Sequence, residues 1–155
     1  MSTVDGTTVA PTSEGVVESF GNGDDIAGGG GNDILQGNGG NDTYFGGAGN
    51  DTFVITQHSL QDSSGDTEGS PDQAVIFDFQ GAGSFSKTSN DFLALGGFGA
   101  GSTLTFLHYG TSGGVTDTTQ QTYDVHSALT GQDYTIFIHS TDGSQLAAGD
   151  YQFYG

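Results

Sequence analysis

The chain has 155 residues, enough for one domain and a small appendage, and carries 19 acidic side chains against one base, Lys87, for a net charge of −18. That balance excludes nucleic acid and anionic membrane surfaces as direct partners and favours a multivalent cation. With no Cys there are no disulfides and no thiolate metal sites, so an extracellular chain of this kind needs another staple.

Residues 1–18 read as a lead-in. They contain neither the basic region nor the apolar run of a Sec-type signal peptide. No stretch approaches the roughly 18 apolar residues of a transmembrane helix, so membrane insertion is not expected. The 29 glycines alone would suggest disorder, but 11 Phe and 6 Tyr are too many for that, and the composition favours a β-rich fold with polar turns.

From residue 19 the chain repeats in blocks of nine: SFGNGDDIA (19–27), GGGGNDILQ (28–36), GNGGNDTYF (37–45) and GGAGNDTFV (46–54). Asp24, Asp33, Asp42 and Asp51 hold the sixth place, and Ile26, Leu35, Tyr44 and Phe53 the eighth. The first six residues of a block must turn sharply, which Gly allows, and Asn22 and Asn38 are the next most tolerant substitutes. The last three form a short strand with its middle side chain inward. The pattern resembles the GGxGxDxUx nonapeptide of the RTX family, whose repeats form a parallel β-roll that binds Ca²⁺.

Two blocks complete a coil, so loops 18 residues apart stack, Asp24 over Asp42 and Asp33 over Asp51. At the roughly 4.8 Å between paired strands, two carboxylates repel by about 3 kcal/mol at an effective dielectric of 20. A cation between them removes that repulsion. Ca²⁺ accepts six or so oxygen ligands, here from the four carboxylates and, on the loops, from the backbone carbonyls of Gly28, Gly30, Gly37, Gly39 and Gly46. Two complete sites result, one on each side of the roll. The interior of Ile26, Leu35, Tyr44 and Phe53 is too small to stand alone. The sequons Asn41-Asp42-Thr43 and Asn50-Asp51-Thr52 are by-products of the repeat.

Beyond TFVIT (52–56), a polar stretch at 57–72 reads as a loop. Apolar runs then alternate with turns: AVIFDF (74–79), DFLAL (91–95), STLTFLH (102–108), QTYDVH (121–126), DYTIFIHS (133–140) and DYQFY (150–154). The spacing predicts an antiparallel sheet or sandwich, with one helical turn at SALTG (127–131). The expected fold is all-β: a short parallel β-roll over 19–54 capped by an antiparallel β-sheet or sandwich over 55–155.

The segment from GGAGNDTFV through VIFDF and DFLALGGFG to LAAGDYQF resembles the C-terminal module of RTX proteins, as found in serralysin-type proteases and the R-modules of alginate C5-epimerases. The family places an Asp two residues before the Ile of DxIxDF. Here Ala74 stands there and Asp72 lies two residues earlier, so Asp72, Asp78 and Asp91 divide evenly between further Ca²⁺ ligands and satisfied turn residues. The resemblance implies a secreted, extracellular bacterial module that folds on Ca²⁺ and supports type I secretion, with the export signal in the last residues. The alternative it implies is a Ca²⁺-dependent module binding a polysaccharide or cell surface, with Phe98, Tyr109 and Tyr154 as exposed aromatics.

Catalysis is not expected in this chain, although the sequence leaves open an enzyme domain in a longer parent. The Gly110-Thr111-Ser112-Gly113-Gly114 motif fits G-x-S-x-G, but the next residues, VTDTTQQTYDV, are strand-like where a nucleophile elbow needs a helix. His108, His126 and His139 each close a strand, and a transition-metal site would form if those ends met. Strand-end His on a solvated edge is the commoner arrangement.

Overall fold

The structure is a computed structural model that describes residues 2–4, 16–19, 23–61, 72–83 and 90–155. Asn22 and Lys87, much of the lead-in and 62–71 of the polar stretch lie outside the described residues. The strands are β1 (Ser2–Val4), β2 (Val16–Ser19), β3 (Asp25–Gly30), β4 (Ile34–Gln36), β5 (Asp42–Ala48), β6 (Thr52–Thr56), β7 (Ala74–Phe79), β8 (Phe92–Gly96), β9 (Thr103–Ser112), β10 (Val115–His126), β11 (Asp133–Ser140) and β12 (Tyr151–Tyr154).

They form two six-stranded sheets, ordered β1-β2-β4-β6-β8-β12 and β3-β5-β7-β11-β10-β9. The nonapeptide dictates this division. Each block supplies one short strand, successive strands alternate between sheets, and strands 18 residues apart pair in parallel, Ile26 beside Tyr44 and Leu35 beside Phe53. The eighth-place side chains all point inward and are fully buried. Tyr44 and Phe53 meet edge to face at 6.2 Å.

The all-β class holds, with parallel and antiparallel pairing both present. The antiparallel part is smaller than the spacing predicts, being confined to β9-β10-β11. The segments at 74–79, 91–95 and 150–154 instead continue the roll: β7 pairs in parallel with β5 and β11, and β8 with β6 and β12. The reason lies in the core. Ile76 stacks beside Tyr44 and Leu93 beside Phe53, so these strands extend the same inward columns. One continuous core runs from Ile26 to Ile138 and solves the burial problem of the four repeats alone.

One local feature differs from the sequence reading and another agrees with it. A 3₁₀ turn at His58–Leu60 opens the polar stretch, held by reciprocal Thr56–Ser59 bonds of 3.1 Å, and it buries Leu60. At 127–131 one turn closes through Gly131 N–H to Ser127 O at 2.8 Å.

Candidate metal centre

The two Asp columns form as the spacing predicts, and all four carboxylates are buried. Asp42 Oδ1 accepts the Asp24 backbone N–H at 3.0 Å, and Asp51 Oδ1 accepts that of Asp33 at 2.8 Å. Each carboxylate therefore reaches back to the preceding layer. The neighbouring Asn reaches forward: Asn32 Oδ1 accepts Asn50 N–H, and Asn41 Oδ1 accepts Gln73 N–H, both at 2.8 Å.

Both columns run past the repeats. Asp72 Oδ2 accepts Gly40 N–H at 3.0 Å on the Asp24–Asp42 side. On the Asp33–Asp51 side, Asp91 accepts Asp51 N–H at 2.9 Å and Gln80 N–H at 2.8 Å, while Asn50 Oδ1 accepts Asn90 N–H at 2.8 Å. Asp91 thus takes a ladder place that the nonapeptide spacing did not assign. Its signal was the Asn90-Asp91 pair, which copies Asn32-Asp33, Asn41-Asp42 and Asn50-Asp51. Asp78 sits differently: its two oxygens accept Gly46 N–H and Gly47 N–H, each at 2.8 Å, a use that satisfies both.

The glycines opening the last three blocks have a spatial reason. A Cβ on Gly46 would stand 2.5 Å from Asp51 Oδ2, and one on Gly28 2.8 Å from Asp33 Oδ2. One on Gly37 would overlap Asp42 Oδ2 and the Tyr44 hydroxyl, which accepts Gly37 N–H at 3.1 Å. Asp33, Asp42 and Asp51 thus each lie over the bare Cα five residues earlier. Gly39 needs its residue type for its backbone, at φ +139°, whereas a Cβ on Gly30 would meet nothing within 4 Å.

Crowding buried acids raises their proton affinity. Burial, then the charges of Asp24 and Asp72, push Asp42 up to about 7 against backbone hydrogen bonds that pull it down. Asp91 rises to about 7 through burial and the charges of Asp51 and Asp78. Asp51 is raised by burial and by Asp33 and Asp78. Burial also holds the Tyr44 hydroxyl well above its ordinary value, so it stays a neutral partner.

These features suit a hard cation. Asp51 Oδ2 is buried without a hydrogen-bond partner among the described residues, and a carboxylate oxygen is the kind of ligand that a hard cation takes. Among those residues no three His, Asp or Glu side chains converge on one point. An ion between layers would therefore be held by a pair of carboxylates, Asp24 with Asp42 or Asp33 with Asp51, and completed by loop carbonyls.

The other candidates fall elsewhere. His126 pairs with Asp133 at 2.6 Å on an exposed strand end, while His108 and His139 lie four and six residues up the ladder beside Thr122 and Gln120, so the three imidazoles do not meet. Ser112 adjoins the tight turn at Gly113 and Gly114, both at positive φ, joining β9 to β10 as a hairpin without a helix. Phe98, expected to be exposed, is buried against Tyr134 and Phe153 because its side chain closes the end of the core. Tyr154 is half exposed, and Tyr109 rests on Phe106 at 4.8 Å.

Residues 20–53 match the RTX calcium-binding nonapeptide repeat in four copies. No curated protein matches the chain.

Proposed function

We propose that the chain, a Ca²⁺-binding module by its four RTX calcium-binding nonapeptide repeats at 20–53, folds on Ca²⁺ outside the cell and supports type I secretion of its protein. The observation that carries this reading is the stacked, buried carboxylates, with an unpartnered oxygen on Asp51. Where Ca²⁺ is scarce, the layers repel and the chain, at −18, stays extended for passage through a narrow conduit. Where it is abundant, ions bind only the folded form and stabilise it by about 2.7 kcal/mol per site at 100-fold excess over Kd. The sites take the place of disulfides as staples. The proposal includes no catalytic step.

Circular dichroism and native mass spectrometry with and without chelator test the folding step. We expect the β-signal and the aromatic near-UV signal to collapse in EDTA and to return cooperatively with millimolar Ca²⁺, but not with Mg²⁺. An equally folded, ion-free chain after exhaustive chelation would overturn the reading. For export, removal of 150–155 should abolish secretion. That deletion also removes β12 and the buried Asp150 carboxylate, which accepts Gly83 and Ala147 N–H at 2.7 Å each, so Ca²⁺-dependent folding of the trimmed chain must be measured beside its export.

A further inference from the structure

The outward face of the second sheet carries an aromatic row that the calcium sites do not use. Phe45 and Phe77, in register on β5 and β7, stack at 5.1 Å with ring planes 11° apart, and the His139 ring follows at 4.7 Å on β11. Phe45 and Phe77 are 37% and 43% exposed. Buried apolar neighbours do not explain this ridge, because the inward side chains of the same strands make the core.

The ridge ends at a hollow of about 300 Å³ whose walls include His108, Gln120, Phe137 and His139. Irregular pairing makes the hollow. Between β9 and β10 the register breaks twice, between Asp117 and Gln121 and again between Thr122 and Tyr123, and both breaks border it. Asp117 braces the larger bulge: its Oδ1 accepts the Thr119 N–H at 3.0 Å and the Thr119 hydroxyl at 2.6 Å, and its Oδ2 accepts the Gln120 amide at 2.9 Å. Gly110 leaves room for Gln120, since a Cβ there would stand 2.8 Å from the Gln120 Cβ. The Gln120 amide is therefore positioned in advance beside an apolar wall.

We propose that this ridge and hollow bind an uncharged polysaccharide chain, its sugar rings lying against Phe45, Phe77 and His139 and its hydroxyls bonding to Gln120 and His108. Mostly apolar walls with a few fixed polar groups suit a ligand that is apolar on its faces and hydroxylated at its edges. Charge selects among ligands of that shape. The chain has one base in all and a net charge of −18, so a carboxylated or sulfated polymer is repelled. A second copy of the chain is repelled for the same reason. A basic peptide would find no carboxylate among the described lining residues, whose polar side chains are His108, Gln120, Gln121, Thr122 and His139.

The test is calorimetric titration of the full Ca²⁺-loaded chain with neutral hexasaccharides of β-1,3-glucose, β-1,4-glucose, β-1,4-xylose and β-1,4-mannose. A polymannuronate hexamer serves as the anionic comparator. At least one neutral hexasaccharide should bind with a Kd of roughly a millimolar or tighter, and tighter than the polymannuronate. Phe77→Ala should weaken it about tenfold, the loss expected for an aromatic contact, with the bound-ion count unchanged. Gln120→Ala, which touches neither core nor calcium column, decides the matter if Phe77→Ala does not fold, and should also weaken binding. No neutral binding, tighter binding of polymannuronate, or neutral binding that survives the substitutions would overturn the proposal. A chain that folds without Ca²⁺ would leave this affinity unchanged in EDTA, so the two readings fail separately.

Discussion

The bare Cα of Gly46 allows a sharp test of why the repeats open on glycine. In Gly46→Ala the new methyl would stand 2.5 Å from Asp51 Oδ2 and 3.0 Å from Phe53 Cζ, so something must yield by about 0.9 Å to reach an ordinary contact of roughly 3.4 Å. Neither neighbour moves freely. Phe53 is fully buried, and swinging the Asp51 carboxylate breaks its bond to Asp33 N–H at 2.8 Å. Overpacking of this kind costs about 1–3 kcal/mol. If two ions supply the stabilisation, that cost raises the Ca²⁺ midpoint of folding about two- to thirteenfold. Gly30→Ala is the control, because its methyl meets nothing within 4 Å and Gly30 has no positive φ. Ca²⁺ titrations followed by circular dichroism should place the Gly30→Ala midpoint with the parent and the Gly46→Ala midpoint well above it. Coincident midpoints for the two variants would refute the carboxylate-over-glycine reasoning.

Asp42→Ala should weaken Ca²⁺ binding more than Asp78→Ala, as measured by isothermal titration, because Asp42 lies in a column while both Asp78 oxygens already accept backbone N–H groups; equal effects would misplace the site. The ion-free chain should become more stable on acidification. Asp42 and Asp91 sit at about 7 when folded against 3.8 ordinarily, so their ionisation costs stability above pH 7, and the cost fades as pH drops through 7 towards about 4. Thermal melts in EDTA should show Tm rising from pH 8 to pH 5, and a falling Tm would reverse the assigned sign. In Ala74→Asp, a carboxylate returns beside Asp42, with which Ala74 is in register. Native mass spectrometry should then count one more bound Ca²⁺, and an unchanged count would show that Asp72 already serves that layer.

The repeats were legible because everything that defines them is local. Nine-residue spacing fixes which side chain turns inward, and Ile26, Leu35, Tyr44 and Phe53 are all buried as that spacing requires. The direction of later strands was not legible, because it depends on partners far along the chain. Asp42 pairs with Ala74 across 32 residues and Thr52 with Phe92 across 40, where the repeat of 18 no longer applies. An apolar run such as AVIFDF fits either pairing direction, and only the column it joins decides. Asp91 was obscured in the same way, since its Asn-Asp signature survives while its spacing does not. The aromatic row leaves no mark in the sequence, because Phe45 and Phe77 belong to different segments and adjoin only once β5 and β7 pair.

The opposed reach of Asn and Asp separates geometry from charge in this site. Backbone N–H groups of the turns are satisfied by side-chain oxygens, forward by Asn32, Asn41 and Asn50 and backward by Asp42, Asp51 and Asp91. Those bonds set the register of the layers without any ion. They do nothing for the repulsion between carboxylates, which recurs at every layer at about 3 kcal/mol for a spacing of roughly 4.8 Å. A chain with a single Lys among 19 acids has no internal countercharge to offer. Neutralisation must therefore come from protons or from outside cations. At neutral pH a divalent ion that cancels two charges in one gap is the most economical source. Hydrogen bonds thus specify the shape of the roll, and on the proposed reading the surrounding calcium concentration decides whether that shape is occupied.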